Sequence, residues 1–104
     1  MADIPIACNP NAIPLEKREQ HSALAQEIFG SATERKELAN GYAFQLPTAL
    51  LRQIAEWMPL EQLCCPFFDF GLELRHTGEL WLSLTGAEGV KDLVRAEFNV
   101  DGRQ

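Results

Sequence analysis

The chain has no apolar run approaching the roughly 20 residues that cross a bilayer as a helix, so no membrane span is expected. It is short of positive charge. Nine Lys and Arg stand against fifteen Asp and Glu, a net charge of -6. Such a surface repels phosphate backbones and anionic lipid, so neither nucleic acid nor a membrane is an expected partner. Met1 to Pro10 lacks the basic and apolar segments of a secretory signal, and a cytoplasmic location is expected. Cysteine is scarce and odd in number: Cys8, Cys64 and Cys65. A reducing compartment would keep all three as free thiols, and a Cys64–Cys65 bridge across one peptide bond is geometrically disfavoured. There is no Cys-x-x-Cys or Cys-x-x-His spacing, which argues against a structural zinc site and a thioredoxin-type centre. Phosphate loop, dinucleotide fingerprint, nucleophile elbow and Ser/His/Asp grouping are missing too. The sequence favours a binding role over a catalytic one.

What is present fits a single domain. A chain of 104 residues with 46% hydrophobic content suffices for one core without a structural metal. Residues 1–13 read as an irregular arm and 101–104 as a frayed polar tail. Pro14 suits a first helical turn, and Leu24, Ala25 and Ile28 follow helical spacing up to the stop at Gly30, with His21 on the same side. Asn40-Gly41 between Glu34–Leu38 and Tyr42–Leu46 predicts a hairpin with a type I′ turn at those two residues. The charged first arm suits a protected edge strand. After Pro47, Thr48 is a candidate cap for a helix with Leu50, Leu51, Ile54, Trp57 and Met58 on one side. Pro59 is expected to kink or restart that helix. Phe68, Phe70, Leu72 and Leu74 alternate, turn at His76-Thr77-Gly78, and return as Leu80, Leu82 and Leu84. Val90, Leu93, Val94 and Phe98 mark a last helix.

The expected fold is therefore α+β and two-layered, in the order α-β-β-α-β-β-α. Two hairpins form a four-stranded antiparallel sheet with helices on one face. The other face carries Ala43, Gln45, Asp69, Gly71, Glu73, Trp81, Ser83 and Thr85. That open face, or an edge strand, would suit a homodimer in which the cysteines are core packing.

The run with the most chemistry is Glu61-Gln62-Leu63-Cys64-Cys65-Pro66-Phe67-Phe68. On a helical turn the Glu61 carboxylate would lie near both thiols. Thiolates favour soft ions, so Cys64, Cys65 and Glu61 are the candidate ligands for a thiophilic metal ion or metalloid. Consecutive side chains diverge by about 100° on a helix, so a site needs irregular backbone, which Pro66 supplies, or a third ligand. Packing, ligand contact and a reactive thiol all stay open for the pair. A carboxylate neighbour raises a thiol pKa, which argues against a nucleophile. Glu61 also has an ordinary reading as a solvated helix residue, or as a carboxylate bonded to the backbone or to Arg52. His21 suits burial or ligation, and His76 suits a solvated turn.

With those residues in view, the chain resembles a family of short bacterial proteins of no established activity. The pattern is Glu-x-x-Cys-Cys-Pro-Phe-x-x-Phe, here Glu61, Cys64, Cys65, Pro66, Phe67 and Phe70. It continues as Leu82, Leu84, Thr85 and Gly86, then Glu88, Gly89, Val90 and Lys91. The resemblance covers about the second half of the chain. It implies an association with metal or metalloid handling, and it does not extend to Cys8.

Overall fold

Alternation places the strands, and the strands place everything else. The computed structural model describes residues 7–98, so the tail expected at 101–104 lies outside the described residues. β1 (Glu34–Leu38), β2 (Gly41–Leu46), β3 (Asp69–Leu74) and β4 (Leu80–Thr85) form one antiparallel sheet in the order β1-β2-β4-β3. Among the described residues three α-helices alternate with the hairpins: α1 (Arg18–Gly30), α2 (Leu51–Cys64) and α3 (Val90–Glu97). This is the α-β-β-α-β-β-α order and the α+β class that the periodicity predicts.

The central pairing is β2 with β4, which sets Tyr42 opposite Leu84, Phe44 opposite Leu82, and Leu46 opposite Leu80. Those six side chains are buried, with Ile28 of α1, Ile54 and Trp57 of α2, and Val90 and Val94 of α3. A period of two on the sheet and of 3.6 on the helices supplies one shared interior. Phe29 and Phe98 close it with edge-on and tilted ring contacts to Trp57 and to each other.

The outer face of the sheet is mixed, as expected, but its one large aromatic is not available to a partner. Trp81 is only 7% exposed. Lys36 Nζ lies 4.9 Å and the Arg75 guanidinium 5.2 Å from its ring centroid, and its Nε1 donates to Glu79 Oε1 at 3.0 Å. The chain's own cations cover it.

Three local expectations are corrected or narrowed. The first hairpin turns at Ala39 and Asn40, with Leu38 opposite Gly41. Gly41 is thus the first strand residue and not a turn residue. Glycine is needed there because a Cβ would run into the Leu84 carbonyl oxygen of the neighbouring strand. Thr48 does not cap a helix; its hydroxyl donates to the Gly78 carbonyl at 2.8 Å, and a 3-10 turn over Thr48–Leu50 leads into α2. Of the two outcomes expected at Pro59, a restart is excluded, because α2 runs on through it to Cys64. Ala55, whose carbonyl loses its partner one turn back, and Pro59 itself are both exposed, so water can replace the missing hydrogen bond.

Gly41 and Gly30 make opposite predictions. Gly41→Ala should lower stability by about 1–3 kcal/mol through overpacking. Gly30→Ala, where nothing lies within 4 Å of the added carbon, should leave stability unchanged or raise it by up to about 1 kcal/mol. Urea denaturation midpoints of the two variants check the pair.

Candidate functional site

The buried stripe of α2 steps through Ile54, Trp57, Glu61 and Cys64 at intervals of three and four, and all four are buried. Glu61 therefore faces inward and is 1% exposed. The reading of it as a solvated residue, or as a partner of Arg52, is overturned. Its place one turn beyond Trp57 on an otherwise apolar face was the signal.

Helix α2 stops at Cys64 because the residue before Pro66 avoids helical geometry. Cys65 takes φ -129° and ψ 74°, and its N–H donates to the Glu61 carbonyl at 2.7 Å. The irregular backbone required to gather adjacent cysteines is thus at the chain position where the proline predicts it.

The third sulfur comes from the N-terminal arm. The Asn9 N–H donates to the Cys64 carbonyl at 2.8 Å. A 3-10 turn over Pro10–Ala12 follows, and Ile13 is fully buried. These anchors bring Cys8 onto Cys65, and the two form a disulfide with Cα atoms 4.7 Å apart. The expectation of three free thiols is corrected. The adjacent pair is indeed unbridged, and the described part of the irregular arm is held at the end of α2. Cys64 is the one free cysteine, and it is buried. The three sulfurs lie within 4.8 Å of one another.

Carboxyl groups flank the sulfurs. Glu61 Oε1 is 2.7 Å from His21 Nε2, and Glu61 Oε2 is 3.4 Å from Cys65 Sγ. Glu97, the last residue of α3, sets Oε1 3.2 Å from Cys8 Sγ. Glu97 is exposed along its side chain while its carboxyl reaches this cluster. It also escaped sequence reasoning, although Val90, Val94 and Glu97 share one helical face. His76 sits exposed in its turn, away from the site.

Burial governs the protonation of the group. Loss of water pushes the Glu61 carboxyl up to about 7, against a smaller opposing hydrogen bond from Glu97. Glu97 rises for the same reason, helped by the neighbouring Glu61 charge. His21 is lowered by burial, with Glu97 pulling the other way. An ion pair between His21 and Glu61 would move both groups in the reverse directions, so burial outweighs charge pairing at this contact. The Cys64 thiol is pushed up to about 11 by burial first and by the two carboxyls second. It is a poor free nucleophile.

Cys64, Cys65 and Glu61, the ligands expected from sequence, are therefore neighbours, and Cys8, Glu97 and His21 join them. No family model, curated protein or solved structure matches this chain.

The buried carboxyl has a consequence for pH. An acid whose pKa is raised in the folded state holds a proton that the unfolded chain releases, so its contribution to stability falls as pH rises. For Glu61 that fall spans about 4.5 to about 7. Glu61→Gln, which keeps the shape and cannot ionise, should flatten this part of the stability profile. Urea melts of both proteins at pH 5 and pH 7.5 measure it. A parallel loss of stability in the two would contradict the assignment.

Proposed function

We propose that the reduced chain binds a soft metal ion or metalloid through Cys8, Cys64 and Cys65. The observation that carries this reading is a three-sulfur cluster set against a buried carboxyl. Ordinary core packing of cysteine has no use for an ionisable group that must be desolvated at a cost of several kcal/mol. Three thiolates suit Hg(II), Cu(I) or trivalent arsenic far better than harder cations. Binding requires the thiol protons to leave. With Cys64 pushed up to about 11, the ion itself must drive that loss, and Glu61 and Glu97 stand where the protons depart. Half-buried Cys8, beside exposed Glu97, is the way in. Some relatives in the family that the Glu61-to-Phe70 pattern resembles are associated with metal and metalloid handling, which points the same way.

The reduced protein should take up one Hg(II) or arsenite per chain, with Zn(II) bound more weakly. Cys8→Ser and Cys64→Ser should each weaken arsenite at least about tenfold, roughly 1.4 kcal/mol. Thiolate-to-metal absorption gives the stoichiometry. Unchanged affinity in a chain with all three cysteines replaced by serine refutes the proposal.

A second reading, a homodimer, has its own observation. Since Trp81 is covered, the open face offers a partner little apolar surface. The outer edge of the sheet at β3 differs, because Leu72 is 40% and Leu74 54% exposed. Unpaired edge strands of that kind invite a second copy. Sedimentation should show a dimer at high micromolar concentration that Leu74→Lys converts to monomer; a monomeric parent chain removes this reading.

A further inference from the structure

The Cys8–Cys65 bond has features that a permanent crosslink does not need. We infer that it is a working dithiol–disulfide couple, opened and closed by exchange with small thiol compounds that attack at Cys8. The two sulfurs are unlike. Cys65 is fully buried beneath the end of α2, whereas Cys8 is half-buried in irregular backbone ahead of the first 3-10 turn. Exchange requires a thiolate to approach along the S–S axis, and only Cys8 offers that approach.

Each sulfur also has its own carboxyl oxygen, Glu97 Oε1 at 3.2 Å from Cys8 and Glu61 Oε2 at 3.4 Å from Cys65. A disulfide has no proton to give to either oxygen. Two thiols do, and each would find an acceptor already in place. The surroundings therefore provide for the reduced state as well as the oxidised one.

The reaction balances with a dithiol as reductant. Its first thiolate bonds to Cys8 Sγ, the Cys8–Cys65 bond breaks, and the electron pair leaves on Cys65 Sγ. The second thiolate of the same dithiol attacks the first sulfur, closes a cyclic disulfide and releases the Cys8 thiolate. Two electrons pass to the protein, and the two protons given up by the reductant appear on Cys8 and Cys65. A small disulfide drives the reverse. No metal takes part, so this inference stands or falls apart from the ion-binding proposal.

The test uses metal-free, full-length protein. In the folded parent chain, dithiothreitol should open the disulfide at least about tenfold faster than the chain unfolds globally, and oxidised dithiothreitol should close it again. Alkylation counting follows both, changing by two thiols per chain. With glutathione disulfide, Cys65→Ser should capture one glutathione on Cys8. Cys8→Ser, which leaves only the enclosed sulfurs, should capture less than a tenth as much. Reduction no faster than unfolding would make the bond a structural crosslink and overturn the inference. So would equal capture by the two variants, or three alkylatable thiols at every buffer ratio.

Discussion

Helix α2 carries a carboxylic acid into the interior of the domain, and the surrounding side chains are arranged around the consequences. Glu61 sits where an isoleucine or leucine would pack without cost, so its presence there must be compensated by partners. His21 on α1 supplies one at 2.7 Å, and the Cys65 sulfur lies by the other oxygen. Replacing such a group by a hydrocarbon is often neutral or stabilising in proteins generally. Stability alone therefore gives no reason to keep it.

Four stretches of chain meet at this acid. α1 brings the imidazole, the end of α2 brings the carboxyl and two sulfurs, and the N-terminal arm brings the third sulfur. The end of α3 closes the cluster with Glu97. The proposed ion binding and the Cys8–Cys65 bond draw on the same atoms, since that bond removes two of three thiolates. A chain that does both would couple its affinity for soft ions to the oxidation state of its surroundings.

Much of this was legible beforehand in particular residues. Period-two runs at Tyr42–Leu46, Phe68–Leu74 and Leu80–Leu84 were enough for the sheet, and Pro66 marked the irregular junction that gathers Cys64 and Cys65. What stayed hidden depends on contacts between segments far apart in sequence. Cys8 and Cys65 are separated by 57 positions, and nothing local in the arm announces that Ile13 is a buried anchor. Glu61 was misjudged because glutamate is so rarely inside that residue type outweighed helical position. The Asn40-Gly41 turn slipped by one residue for a related reason: Gly41 answers to the backbone of β4, not to its own turn.

Trp57 and Trp81 belong to opposite sides of the sheet and to opposite kinds of surroundings. Trp57 is walled by Phe29, Phe70 and Phe98, and its indole N–H meets no acceptor among the described residues. Trp81 is bonded to Glu79 beneath two cations. One indole is therefore enclosed by aromatic rings a single helical turn from the buried acid, and the other is held by charged groups on the far layer. Two indoles so differently placed are expected to emit at different wavelengths, one reporting on the interior and the other on the outer surface.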